Sequence, residues 1–300
     1  MKHTFRVTLI VLAMFFFAQI LGLVIINNYV DKTQLKEGIV SFKELPLGLE
    51  VPETTGAESL FTIVLAIIIG TILALVLMRF GQLGLLKIWF FLAVLITLAV
   101  AFYSFVPLSI ALPISVVLSL IKIFRPNFYV QNFTELFVYG GLAAIFVRTF
   151  PAEYALFTVL MLLVLISLYD AYAVWKSGHM IKLAKFQTKS KMFAGVVIPY
   201  SMPKAPKGLP VKTVKVKTAI LGGGDIGFPL LFSGVIFRDL LLRNAIAFAF
   251  LKVLMIPVFA AIALGWLLVK ADKDKFYPAM PFISLGCFLA MVVMRLAGFL

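Results

Sequence analysis

Residues 218–237 read TAILGGGDIGFPLLFSGVIF, an apolar stretch with the carboxylate of Asp225 inside it. A charged side chain in the middle of a membrane helix costs about 2.5–3.5 kcal/mol or more, so such a residue needs an explanation. A second acid, Asp170, lies in the apolar segment just upstream. These two acids decide how the rest of the chain is interpreted.

The composition is that of an integral membrane protein. Of the 300 residues, 63% are hydrophobic, and the mean hydropathy is +1.10. Charged residues make up 13%, against roughly 25% in soluble domains. The apolar residues form contiguous runs and do not alternate, which excludes a transmembrane β-barrel. We therefore predict an all-α membrane protein with a single polytopic domain over residues 1–300.

Nine apolar runs are long enough to cross a bilayer, which needs about 20 residues. They are 7–26, 59–78, 88–106, 108–121, 134–150, 152–175, 218–237, 244–269 and 276–299. Pro107 and Pro151 mark tight turns within two helix pairs. The domain thus divides into spans one to six (1–175), a loop (176–217) and spans seven to nine (218–300).

The basic residues predict the orientation. With the N-terminus inside, 19 of the 27 lysines and arginines, including Lys122, fall on the inner side, and seven fall on the outer side. This asymmetry predicts a cytoplasmic N-terminus and an outer C-terminus. It also explains the net charge of +14 without nucleic-acid binding. The first apolar run is too long, and lacks the cleavage site, for a signal peptide, so we interpret it as a retained span.

The loop 176–217 carries ten lysines and has two parts. Residues 177–191 are amphipathic and predict a helix on an anionic membrane surface. In residues 211–217, VKTVKVK, β-branched residues and lysines roughly alternate, which predicts a short β-strand. A solvated basic linker is the alternative for this loop.

Spacing places the two acids at one depth. Asp170 lies six residues before Lys176, or about 9 Å along a helix, and Asp225 lies eight residues after Lys217, or about 12 Å. Both therefore fall in the inner half of the bilayer on consecutive antiparallel spans. A helix hairpin is expected to bring them face to face.

Two adjacent carboxylates share a proton, since both cannot easily ionise. One can then act as base on a water while the other donates a hydrogen bond to a scissile carbonyl, as in aspartic proteases. Gly222, Gly223 and Gly224 are expected to let another backbone approach and the helix loosen. Tyr169 can offer a hydroxyl beside Asp170.

Other interpretations of the acids remain open. Each aspartate can pair with a cation such as Lys252 for packing alone, which would leave a non-catalytic membrane scaffold. The pair can also form a proton relay in a coupled transporter or channel. Residues 222–227 match G-x-G-x-x-G, but that fingerprint needs a soluble strand–turn–helix unit, so we reject a dinucleotide site. We predict neither a cofactor nor a metal.

Three further features are unusual for membrane spans. Pro278, Ala279 and Met280 begin the last span near the same inner level, where prolines leave backbone groups that only protein or a water-filled cavity can satisfy. An ordinary helix start is the alternative. Glu135 and Lys252 are expected to snorkel to an interface or to pack against polar neighbours.

Three motifs together resemble the signatures of the presenilin and signal peptide peptidase family. They are Tyr169-Asp170, the Gly-x-Gly-Asp ending at Asp225, and Pro278-Ala279-Met280, in the family's order and in membrane segments. The family's Pro-Ala-Leu is Pro-Ala-Met here, and leucine to methionine nearly conserves volume.

The resemblance implies an intramembrane aspartyl protease that cleaves transmembrane proteins or peptides, with Asp170 and Asp225 as catalytic dyad. It implies that Tyr169, residues 222–224 and residues 278–280 shape the substrate site. It further implies an archaeal homologue in the plasma membrane, oriented as in the presenilin branch, that works without partner subunits or cofactor.

Overall fold

The computed structural model describes residues 4–50, 56–150, 153–176, 193–200, 218–272 and 277–300. Its helices are α1 (Phe5–Tyr29), α2 (Lys32–Lys36), α3 (Gly56–Arg79), α4 (Leu83–Tyr103), α5 (Leu108–Phe124), α6 (Phe128–Thr149), α7 (Ala155–Ala171), α8 (Gly223–Leu241), α9 (Ile246–Val253), α10 (Met255–Lys270) and α11 (Met280–Leu296). A 3₁₀ turn (Pro46–Gly48), a π turn (Tyr172–Lys176) and the strands β1 (Gly195–Pro199) and β2 (Thr218–Gly222) complete the described elements. The helix predicted at 177–191 and the strand predicted at 211–217 lie outside the described residues.

Six helical segments of this part of the chain are long and apolar enough to span a membrane. They are α1, the central part of α3, α4, α6, α7 with its π turn, and the α9–α10 pair. Helices α5 and α11 are shorter and apolar, with 17 residues each. Each predicted span thus contains a helix, whereas the count of nine spans and the orientation of the termini stay predictions.

The predicted boundaries are five and six residues late at the starts of α4 and α6, and they are also wrong in the last three spans. The seventh helix begins at Gly223 and not at Thr218, because residues 218–222 pair as a strand. The eighth is interrupted at Leu254, three residues before Pro257, whose ring nitrogen has no N–H for the helical ladder. The last helix begins at Met280, with Ala279 as its N-cap.

Helix α6 lies at the centre of the helix bundle. It packs against α1, α4, α5, α8 and β1. Glycines let these helices approach: a Cβ atom on Gly141 would lie 2.0 Å from the carbonyl oxygen of Thr97 in α4. A Cβ atom on Gly22 in α1 would lie 2.2 Å from a methyl carbon of Leu230 in α8. Small residues at such contacts are typical of helix packing in membranes.

The prediction of β-structure between the sixth and seventh helices is confirmed by a two-stranded antiparallel sheet, whose strands lie at positions other than the predicted 211–217. Gly195 lies opposite Gly222, and Pro199 lies opposite Thr218. The side chain of Asn132 on α6 donates to the carbonyl of Val197 at 2.8 Å and accepts from its N–H at 2.9 Å. Strand β1 is therefore held between α6 and β2, and β2 runs directly into α8.

Candidate active site

Asp170 is the penultimate residue of α7 and is 8% exposed. The π turn Tyr172–Lys176 follows at once. Such turns are rare and occur frequently at functional sites. Tyr169 is half-buried on the preceding position, and its predicted role at the site stays a prediction.

Asp170 is hydrogen-bonded to the start of the last helix. The backbone N–H of Met280 donates to its Oδ2 at 3.1 Å. The first N–H groups of a helix have no partner within the helix and carry positive partial charge, so they suit a carboxylate. One turn away, Ser167 and Ser284 share a 2.8 Å hydrogen bond, which also joins α7 to α11.

This contact agrees with parts of both interpretations of residues 278–280. The segment is a helix start, as the local alternative held, since α11 begins at Met280. Its unpaired backbone groups nevertheless meet protein, because they donate to Asp170. Pro278 is buried and Ala279 is partly buried at the same place.

Asp225 is the third residue of α8 and is partly buried. Its carboxyl group lies beside Gly222, where a Cβ atom would be 3.2 Å from its Oδ2, and α8 packs against α7, which carries Asp170. The structure therefore places the two acids on packed neighbouring helices, near enough for their charges to interact. Asp225 lies in the first turn of α8, because residues 218–222 form a strand, and its predicted depth in the bilayer stays a prediction.

The three glycines before Asp225 do not share one role. A Cβ atom on Gly223 would lie 2.7 Å from the hydroxyl oxygen of Tyr139, whereas one on Gly224 would first meet Phe228 at 3.4 Å. A tyrosine side chain of α6, and not another backbone, thus occupies the space beside Gly223. The helix also starts at this point, and its loosening there stays a prediction.

Helix α1 contributes a contact that the sequence reasoning missed. The buried Gln19 donates from Nε2 to the carbonyl of Ile226 at 2.8 Å, one residue after Asp225. Pro229 has no N–H for the carbonyl of Asp225, four residues before it, so α8 lacks one helical hydrogen bond here. A lone amide in an otherwise apolar span was the signal available for Gln19.

A buried ion pair was also missed. Lys122 on α5 lies 2.5 Å from Glu135 on α6, and the two side chains are 1% exposed. Lys122 is therefore not an inner-loop charge, and snorkelling of Glu135 is wrong. The alternative, that Glu135 packs against polar neighbours, is confirmed.

Lys252 does not serve as the cation for the aspartates. It donates to the side chain of Asn244 at 2.5 Å and lies over the ring of Phe299, 4.7 Å from its centroid. Asn244 follows the end of α8, roughly 28 Å along the helix from its start. Lys252 thus packs against a polar and an aromatic neighbour, which confirms the prediction of packing and not that of snorkelling.

Comparisons with known proteins agree with this geometry. The family described as "Signal-peptide peptidase, presenilin aspartyl protease" matches residues 48–299. A solved structure of a presenilin family intramembrane aspartate protease in the C222 space group is 20% identical, covers 97% of this chain and 99% of that chain, and gives a TM-score of 0.63. Its P2 counterpart is 20% identical over 96% of both chains, with a TM-score of 0.60. At this identity the structural likeness shows the fold alone, and no curated protein matches the sequence.

The family match spans most of the chain and includes all three motifs. It does not support the transporter alternative, and it agrees with the long apolar helices in describing a multi-pass membrane protein. From this match we conclude that the chain belongs to the signal-peptide peptidase and presenilin family of aspartyl proteases.

Proposed function

We propose that this protein hydrolyses peptide bonds within transmembrane helices of membrane-protein substrates, with Asp170 and Asp225 as the catalytic dyad. The observation that carries the proposal is the placement of these two acids on packed helices, within reach of each other's charge and beside the strand–helix junction at Gly222. The fold of the family and the three motifs support it.

In the proposed reaction the two acids hold one proton and one water between them. The ionised aspartate takes a proton from the water, whose oxygen attacks the scissile carbonyl carbon. The protonated aspartate donates its proton to the carbonyl oxygen, which gives a neutral tetrahedral diol. The aspartate that took the water proton then gives it to the amide nitrogen, and the other aspartate accepts a proton from a diol hydroxyl. The C–N bond breaks, a carboxylic acid and an amine are released, and the dyad again holds one proton. No cofactor or partner subunit takes part.

The edge of strand β2 can hold an unwound substrate. The backbone groups of Val197 point to α6, so antiparallel geometry turns those of Val196 and Ile198 toward β2. On β2 the backbone groups of Ala219 and Leu221 therefore face β1. Those of Ile220 face the opposite edge, where an extended substrate segment can add a strand next to the dyad.

This edge can be tested at one backbone position. We expect Ile220→Pro to reduce cleavage strongly, because proline removes the outward N–H while the bonds between β1 and β2 remain. Ile220→Ala is the matched control, since it shortens the same side chain and keeps the N–H. Equal cleavage by the two variants would exclude strand addition at β2 and leave the dyad untouched.

The proposed activity is tested with a single-span peptide in detergent, without any gradient. We expect the wild type to cleave the peptide, and Asp170→Asn and Asp225→Asn each to abolish cleavage, since each removes one partner of the shared proton. Intact helical content in both variants controls for folding. Full cleavage by either variant would contradict the proposed dyad.

A further inference from the structure

Outside the candidate active site, Lys122 and Glu135 are the buried charged residues of the part of the chain that the structure describes. The Glu135 carboxylate accepts three hydrogen bonds. Its Oε1 accepts from Lys122 at 2.5 Å and from Gln131 at 2.9 Å, and its Oε2 accepts from the hydroxyl of Tyr139. Lys122 also lies 5.8 Å from the ring centroid of Phe90 on α4.

Stability alone does not explain this arrangement. Burying two charges is costly, and a pair of apolar residues of similar volume is often as stable as a buried ion pair. We therefore examine which side chains the carboxylate positions through its hydrogen bonds. Both Tyr139 and Gln131 continue from Glu135 toward the segment that carries Asp225.

The first branch leads to Gly223. Tyr139 is 3% exposed, and its hydroxyl, held by Glu135, lies 2.7 Å from where a Cβ atom on Gly223 would be. Gly223 is the first residue of α8 and lies two residues before Asp225. Tyr139 thus contacts the start of the helix that carries this acid.

The second branch leads to strand β1. Gln131 Nε2 shares its two hydrogens among three acceptors, which are Glu135 Oε1 and the carbonyls of Phe193 at 2.8 Å and Gly195 at 3.0 Å. Gly195 lies opposite Gly222 in the sheet, and the N–H of Gly223 donates to Ala194 at 3.1 Å. The two branches therefore reach residues 222 and 223 from two directions.

We propose that Glu135 is a positioning residue for the candidate active site. Its carboxylate orients Tyr139 against Gly223 and, through Gln131, orders β1 opposite Gly222, so that a single buried group fixes the position of Asp225. This inference rests on the proposed function. A displacement of about 1 Å at a reacting group can lower a rate about 10²-fold, so loss of this support is expected to act on kcat.

The test uses two double variants of the full chain in detergent. Both Lys122→Met/Glu135→Gln and Lys122→Met/Glu135→Leu remove the buried charges and leave none unpaired. The glutamine keeps an oxygen that can accept from Tyr139, whereas the leucine keeps none. We expect the kcat of the leucine variant to be lower than that of the glutamine variant by a factor of about ten or more. We expect an unchanged KM for the single-span peptide and a similar melting temperature for both.

Tyr139→Phe supplies a second measurement that does not depend on either double variant folding. It removes the hydroxyl and keeps the ring, so kcat is expected to fall several-fold without a change in melting temperature. In the leucine background the same change should add no further loss, because the two residues then act as one unit.

Wild-type kcat in the leucine double variant or in Tyr139→Phe would overturn the positioning role. So would a loss of kcat that always follows a loss of melting temperature. Failure of the proposed function would give a different result. In that case the wild type, with both aspartates present, would not cleave the peptide at all.

Discussion

Helices α3 and α6 were both predicted as membrane spans, yet they occupy opposite kinds of position. The segment Leu60–Leu77 of α3 has a mean hydropathy of 3.0, and 6% of its residues are buried within the protein. The segment Phe128–Thr149, which is α6, has a mean hydropathy of 1.3, and 61% of its residues are buried. The more apolar helix thus lies at the periphery. The more polar one carries Gln131, Asn132, Glu135 and Tyr139, which reach the sheet and the helix of Asp225.

The difference follows from the solvent. Lipid is as apolar as a leucine side chain, so apolar surface gains nothing from facing protein in a membrane. Polar groups must instead find partners inside the bundle. In this protein the polar residues of a span therefore mark the interior, which is the reverse of the rule for soluble domains.

The largest contrast between α6 and α3 is expected when a buried charge loses its partner. Glu135→Leu leaves Lys122 buried and unpaired, and we expect it to lower the free energy of unfolding by about 3–5 kcal/mol. Adding Lys122→Met should restore most of the loss. Thr71→Leu on α3 is the control, since its hydroxyl bonds only to the Ile67 carbonyl of its own helix, and should change stability by about 0.5 kcal/mol or less. Unfolding in detergent measures all four proteins, and equal losses in α3 and α6 would remove the contrast.

A smaller effect is expected from one methyl group placed in each helix. Gly141→Ala on α6 forces a Cβ atom against the Thr97 carbonyl and should destabilise the protein by about 1–3 kcal/mol. Gly70→Ala on α3 first meets Trp89 at 3.9 Å, so it should be neutral or stabilise by up to about 1 kcal/mol. Thermal unfolding of the two variants side by side compares them directly. A destabilised Gly70→Ala protein would mean that α3 packs more closely than described.

The contact between α6 and the strand–helix junction is expected to act on catalysis more than on stability. Gly223→Ala brings a Cβ atom against Tyr139 and should lower kcat about 10- to 100-fold by moving Asp225. Gly227→Ala, one turn further along α8, meets the same tyrosine at an ordinary 3.9 Å and serves as the control. Cleavage of a single-span peptide provides the measurement. Wild-type turnover in Gly223→Ala would show that Tyr139 does not constrain the helix start.

The sequence sufficed for the apolar helices and for the two acids, because both signals are local. An apolar run of about 20 residues predicts a helix, and an acid inside it stands out. The partners of Glu135 were beyond sequence reasoning, since Lys122 and Gln131 meet it only through the packing of α5, α6 and β1. Gln19 was missed for the same reason.

The start of α8 was predicted five residues too early for a different reason. Residues 218–222 are as apolar as a membrane helix, and their strand conformation depends on pairing with Gly195–Pro199, far from them in sequence. The β-propensity of the residues in one strand is a weak signal compared with such pairing. The alternating residues at 211–217 indicated a strand in this loop, but they did not predict that strand β2 would begin at Thr218.

The proposed mechanism requires a single water site shared by Asp170 and Asp225. A peptide isostere that carries a hydroxyl in place of the scissile carbonyl mimics the tetrahedral diol, so its binding to purified protein reports on that site. We predict that the wild type binds the isostere and that Asp170→Asn and Asp225→Asn each lose that binding while keeping their fold. Equal binding by wild type and either variant would contradict the proposed dyad.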